Sequence, residues 1–208
     1  MDDIMQTVPP KRSKGRPREF DRQKALDAAL RIFWAKGFEP TTLPELCQAM
    51  GINPPSLYAA FGNKAQLFLE AVHYYERTYW HKLEENFQAE PNIHKAIRNY
   101  FEQAAGVLAS PDLPCGCMIV VAAVNISDSE QEIIREITAI RQATRLMFLE
   151  KLRTAIREGQ IPPDTDAPAL AGALNALLEG MSLLAKEGLF QSELKAIAAF
   201  APKLLPDL

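Results

Sequence analysis

The segment Thr42-Leu43-Pro44-Glu45-Leu46-Cys47-Gln48-Ala49-Met50-Gly51-Ile52-Asn53-Pro54-Pro55-Ser56-Leu57-Tyr58-Ala59-Ala60-Phe61-Gly62 reads as two short helices around a tight turn. Thr42 with Glu45 three residues on is a capping-box pattern, so a helix starts there. It runs through Leu46, Ala49 and Met50 and stops at Gly51, the residue type best suited to a left-handed turn after a helix. A second short helix follows through Leu57, Tyr58 and Phe61 and ends at Gly62. A residue before proline is pushed out of the helical region, so the reading takes Pro54 as the cap and Pro55 as the first helical residue. The result is a helix-turn-helix.

Reading a duplex requires a second helix short enough to enter a major groove about 12 Å wide, led by small or polar residues. Asn53, Pro54, Pro55 and Ser56 meet that requirement, and Thr42 begins the preceding helix. Tyr58 offers a hydroxyl where a phosphate would pass, and Lys64 stands at a helix N-terminus, a natural phosphate site. Leu57 and Phe61 are expected to face inward and hold the two helices together.

Outward from this segment the chain continues as helix, and nothing reads as a sheet. Upstream, Leu26, Ala29, Leu30 and Phe33 form a stripe at helical spacing, ended by Gly37. Downstream, Asn63 with Gln66 opens a helix expected from Lys64 to about Phe87, followed by one from Ile93 to about Leu108. Pro111 to Pro114 is a break, and an apolar helix is expected from about Gly116 to Val124. Ser129 with Glu132 opens a long helix ending at Gly159, and Pro162-Pro163 closes it. In the last two helices, Leu170, Leu174, Leu177, Met181 and Leu184 repeat at spacings of four and three, as do Phe190, Leu194, Ile197, Ala201 and Leu204. Gly172, Ala176 and Gly180 add a row of small residues that would admit another helix closely. Such seams suit half of an intermolecular four-helix bundle, or simply the core of their own domain.

The composition, 48% hydrophobic and 24% charged, argues against disorder. No uninterrupted apolar run approaches the roughly 18 residues of a membrane span, and no secretory signal is read, so a cytoplasmic protein without a membrane partner is expected. Three cysteines are an odd count that suggests no disulfide framework. The net charge of −3 conceals an asymmetry: residues 1–64 carry +3 and residues 65–208 carry −6. Lys11, Arg12, Lys14, Arg16 and Arg18 fall within eight residues with no acid among them. A basic arm on an acidic protein has an electrostatic partner in nucleic acid, and a solvated tail is the plainer alternative.

Gly15-Arg16-Pro17-Arg18, then Ala28-Ala29-Leu30-Arg31-Ile32-Phe33, then Lys36-Gly37-Phe38-Glu39-Pro40-Thr41-Thr42, closely resembles the start of the tetracycline-repressor (TetR) family. Met50 to Tyr58, with Phe61 and Lys64, continues the resemblance, which spans about residues 15–70 in order and spacing. It implies an all-α fold: a basic arm (residues 1–20), a three-helix DNA-binding domain (21–66), and a helical effector-binding and dimerisation domain (67–208) reached through a fourth helix. It further implies a homodimer through the last two long helices and a palindromic double-stranded operator, with repression relieved when a small molecule enters the C-terminal domain. On this resemblance Arg16, Arg18, Thr42, Asn53, Pro55, Ser56, Tyr58 and Lys64 face DNA. Leu170, Leu174, Leu177, Met181, Leu184, Leu194, Ile197 and Ala201 meet the partner subunit. The paired prolines depart from the commoner Ser or Gly and remove backbone donors at the helix tip.

Candidate effector-pocket residues are Trp80, Phe101, Cys117, Met118, Met147 and Phe148, each of which could equally be core. The alternative to a small organic effector is a metal or redox sensor built on Cys115 and Cys117, whose position at a helix start would favour reactive thiols. No nucleophile motif, phosphate loop or His-Glu metal pair is present, so neither an enzyme nor a cofactor is expected.

Overall fold

The computed structural model describes residues 20–122 and 126–207, and among these no strand occurs. Arg16 and Arg18, and with them the basic arm, lie outside the described residues. Helix α1 (Arg22–Lys36) starts because the Asp21 carboxylate accepts the Gln23 and Lys24 amides, and it ends at Gly37. Its inner face, Leu26, Leu30 and Phe33 among others, is almost completely buried.

Helix α2 (Leu43–Met50) carries the capping box expected of Thr42 and Glu45. The Glu45 carboxylate accepts from the Thr42 amide at 3.0 Å, and the Thr42 hydroxyl accepts the Glu45 amide at 3.4 Å. Lys36 and Thr42 together hold Glu45 down to about 2. Gly51 adopts φ +66, and this left-handed turn lets the Ile52 amide reach back to the Cys47 carbonyl. Helix α3 (Pro54–Phe61) begins one residue earlier than the proline rule suggests. Asn53, not Pro54, is the cap: its side chain accepts the Ser56 amide at 2.9 Å. Pro54 and Pro55 then fill the first two helical positions, where a missing N–H costs nothing.

Helix α4 (Lys64–Tyr75) and helix α5 (His81–Ala89) form one rod, but not the uninterrupted α-helix expected from Lys64 to Phe87. A π-helical turn, Glu76–Trp80, is inserted between them, closed by the His81 amide on the Glu76 carbonyl. Such turns add a residue to the helix face and re-aim the side chains around it. The boundary placed between residues 66 and 67 falls in the first turn of α4, whose Phe68 packs edge-on against Phe33 at 5.1 Å.

Helix α6 (Ile93–Leu108), α7 (Gln131–Arg157), α8 (Ala167–Lys186) and α9 (Gln191–Ala198) form the larger body, closed by a 3₁₀ turn, Ala201–Leu204. Of the apolar helix expected over 116–124, residues 123 and 124 lie outside the described residues, and the described part forms a π-helical turn, Met118–Ala122. Helix α7 opens at Glu130 with no side-chain cap, so Ser129 does not serve as one. Phe87, Tyr100, Phe101 and Phe148 form the aromatic centre, with ring centroids 5.3 to 5.9 Å apart. Helix α8 is long and apolar enough to cross a membrane, yet only a third of its most apolar window is buried in the protomer. It has two apolar faces: one packs inward and the other points out.

Candidate DNA interface and effector cavity

Helix α3 is held from behind and open in front. Leu57 and Phe61 are buried, as their spacing predicts, on a helix that packs against α2 and α4. Asn53, Pro54, Pro55 and Tyr58 are exposed, with Tyr58 at 50%. The leading end of the helix is therefore free to enter a groove. Arg22 braces it by pairing with Glu70, donating to the Ala60 carbonyl at 3.1 Å and lying 4.4 Å over the Phe61 ring.

Two of the polar residues there do double duty. The Asn53 side-chain oxygen serves the cap, which leaves its amide N–H groups for a duplex. The Thr42 hydroxyl donates to Glu45 at 3.0 Å. Lys64 is folded back, its ammonium donating to the Glu39 carbonyl at 3.3 Å and lying 4.3 Å over the Phe38 ring.

The second site is a small cavity in the larger body, with room of about 40 Å³ for the centre of a water-sized molecule and part of its mouth open to solvent. The π-helical turn places Glu76 and Trp80 on its wall, and Tyr100, Cys117 and Arg141 line it from three other segments. Of the pocket residues expected from sequence, Trp80 and Cys117 are there. Phe101, Met118 and Phe148 are not: each is completely buried in packed core. Met147 is part-buried and does not line the cavity. The correction is one of rotational phase, since Tyr100, one position from Phe101, does reach the wall.

Sequence reasoning missed the charged wall: Glu76, Glu84, Arg141 and Glu179. The signal available was a carboxylate, Glu76, directly after Tyr74-Tyr75 and one helical turn before Tyr79-Trp80. Burial, and secondarily the nearby Glu84, pushes Glu76 up to about 7. Glu84 is also raised by burial.

The cysteine-based alternative is not favoured. Burial pushes the Cys117 thiol up to about 11, the reverse of an activated thiolate. Cys115 is exposed, and both thiols precede a π-helical turn, Met118–Ala122, rather than sitting in the first turn of an α-helix. Among the described residues, no three His, Cys, Asp or Glu side chains gather as a metal site.

The proposed interface stripes divide in two. Leu174, Met181, Leu194 and Ala201 are completely buried in their own protomer and have no surface to offer a partner. Leu170, Leu177, Leu184 and Ile197 are part-buried. From α8 onward the large apolar groups that face outward are Leu183 at 48%, Phe190 at 75%, Phe200 at 59% and Leu204 at 42% exposure; Leu146 on α7 is exposed as well.

A helix-turn-helix with an open leading helix, mounted on an all-helical body with a cavity, defines a DNA-binding transcriptional regulator. Residues 25–71 match the family described as bacterial regulatory proteins, tetR family, and residues 94–195 match the tetracyclin repressor-like C-terminal domain. The chain is 35% identical over 202 residues, 95% of either chain, to the HTH-type transcriptional repressor ComR of Escherichia coli (strain K12). It is 31% identical to the HTH-type regulator YezE of Bacillus subtilis (strain 168) over 83% of this chain and 89% of that one. A cysteine-substituted form of the TetR family regulator CifR, complexed with a 26-bp double-strand operator DNA, superposes with a TM-score of 0.87. That pair is 32% identical, covering 92% of this chain and 100% of the other. The chain belongs to the TetR family of bacterial regulatory proteins.

Proposed function

We propose that the chain acts as a homodimeric repressor that grips a palindromic operator through two α3 helices and lets go when a small molecule enters the cavity. The open leading end of α3, with Asn53, Pro55 and Tyr58 exposed, Ser56 half-buried beside them, and Leu57 and Phe61 locking it behind, is the observation that carries this reading. Thr42, Lys64 and the arm residues Arg16 and Arg18 are assigned to the phosphate backbone, where they would position the head without specifying sequence. As a partner of the chromosome the protein acts in the cytoplasm.

Pairing through the outer faces of α8 and α9 follows from Leu183, Phe190, Phe200 and Leu204, a set of large exposed apolar groups on neighbouring elements. Gly172 and Gly180 help, because a side chain at either would meet nothing within 4 Å in the protomer. Two heads on one rigid pair must meet successive major grooves roughly 34–36 Å apart, so any shift of their spacing releases the duplex.

Selection of bound duplexes from a random pool by the full-length protein, with sedimentation of the same preparation, tests the proposal. A dimer that enriches an inverted repeat with half-sites about one turn apart is expected. A monomer with no preference for any duplex over competitor overturns it.

A further inference from the structure

We propose that the cavity takes a lipophilic organic cation, an aromatic or aliphatic body bearing a quaternary or protonated ammonium head. The inference rests on the effector reading and names the chemistry of the effector.

The wall of the cavity is acidic and under-paired. Among the described residues lining the wall, Glu76, Glu84 and Glu179 are accompanied by a single cation, Arg141. Arg141 gives its Nη2 to the Ile119 and Val120 carbonyls at 3.0 and 3.3 Å rather than to a carboxylate. None of the three glutamates forms an ion pair among the described residues. Glu179 receives a hydrogen bond from Asn175 at 3.2 Å, and Glu76 receives none from the described residues. A carboxylate drawn out of water without a partner is costly, and a cation brought into the cavity removes that cost.

A second, independent feature points to a ligand. Trp80 is only 5% exposed, yet its indole N–H, close to the Tyr75 hydroxyl, meets no acceptor at hydrogen-bonding geometry. The Arg141 Nε–H is likewise buried without a partner. Buried donors of this kind are rare unless something else satisfies them. An ether, ester or hydroxyl oxygen on the ligand body would do so. The rings of Trp80 and Tyr100, with centroids 6.4 Å apart, supply the faces that attract an ammonium group.

Other ligand classes fit less well. An anion would sit against three carboxylates, and a neutral molecule would leave them unpaired. A bare metal ion has no converging donor set among the described residues.

Calorimetric titration of the full-length protein with three ligands of matched shape tests the inference. They are (3-methoxyphenyl)trimethylammonium, its neutral isostere 3-tert-butylanisole, and 3-methoxybenzenesulfonate. The cation is expected to bind at least about tenfold more tightly than the neutral isostere, a factor that corresponds to a modest difference in binding free energy, with the sulfonate weakest. In a Glu76→Gln, Glu84→Gln double variant that keeps its helical circular dichroism, the preference should fall close to one. The comparison on the unmodified protein stands even if that variant does not fold. Equal or tighter binding of the neutral or anionic ligand, or no binding of the cation up to millimolar concentration, overturns the inference, as does a folded double variant that keeps the preference. Duplex binding by the same preparation separates the two readings. Protein that selects no duplex but prefers the cation removes the regulator reading alone. Protein that holds a duplex without a charge preference among ligands removes this one.

Discussion

The indole N–H of Trp34, on α1, donates to the Gly116 carbonyl across 2.7 Å in a buried contact. This bond ties the DNA-reading head to the segment that walls the cavity. The same segment is fastened on two further sides: the Cys117 amide donates to the Ser182 hydroxyl at 2.7 Å, and the Met118 amide to the Tyr75 hydroxyl at 3.3 Å. Lys186 adds a bond from α8 to the Ala35 carbonyl at the end of α1. A molecule pressing on Cys117 therefore acts on a residue bonded to α8 and flanked by residues bonded to α1 and α4.

Replacing Trp34 by Phe keeps most of the ring volume but strands the Gly116 carbonyl. A loss of about 1–3 kcal/mol in unfolding free energy is expected from chemical denaturation, the cost of an unsatisfied buried acceptor. An unchanged denaturation midpoint would show that the bond contributes nothing to holding the segment.

Gly116 and Gly159 both hold positive φ, +82 and +68, but in different surroundings. A methyl group at Gly116 would lie 2.8 Å from the Ser182 carbonyl oxygen, whereas at Gly159 it would meet nothing within 4 Å. Gly159→Ala should cost about 1 kcal/mol for the left-handed backbone alone. Gly116→Ala should cost clearly more, because α8 must also move. Equal losses in parallel denaturation curves would mean that α8 yields freely at that point.

Glu76 is raised from 4.5 to about 7, so the native state holds its proton more tightly than the unfolded chain does. The associated stability is fully present below about pH 4.5 and is lost as pH rises through about 7, to a total on the order of 3 kcal/mol. Glu76→Gln should therefore gain stability relative to the parent as pH rises from 4.5 to 7, with the difference levelling off above that. A difference independent of pH over this range would refute the assignment.

Tyr58 is half exposed and makes no packing contribution through its hydroxyl, so Tyr58→Phe should weaken duplex binding and leave the melting temperature unchanged. Leu57, its completely buried neighbour, should behave oppositely: Leu57→Ala should cost about 2–5 kcal/mol of stability. Filter binding and thermal melts of both variants distinguish the two roles. Wild-type duplex affinity for Tyr58→Phe at physiological salt would remove that hydroxyl from the interface.

Leu183 and Met181 lie two residues apart on α8, one 48% exposed and the other completely buried. Leu183→Glu should give a folded monomer, since the charge would fall within an apolar contact between subunits. Met181→Glu should unfold the protomer instead. A dimeric mass for Leu183→Glu in sedimentation would move the interface elsewhere.

Sequence alone was sufficient for the reading head, because each of its boundaries is set by a local rule. Thr42 with Glu45, Gly51, Asn53 and Gly62 act within a few residues of themselves, and the short-range hydrogen bonds they make need no tertiary context. The one departure there, Asn53 rather than Pro54 as the cap, is a shift of one residue. Tertiary structure decided what periodicity leaves open. On α8 both faces are apolar, so the heptad-like spacing of Leu174, Leu177 and Met181 could not say which leucines turn inward; packing against α6 and α7 sets the rotation. The cavity is of the same kind: Glu76, Arg141 and Glu179 are far apart in the chain, and only the folding of α7 and α8 over the π-helical turn brings them to one wall. Capping and turn geometry act over a few bonds, while charge and cavity shape arise from elements that meet only when the core closes.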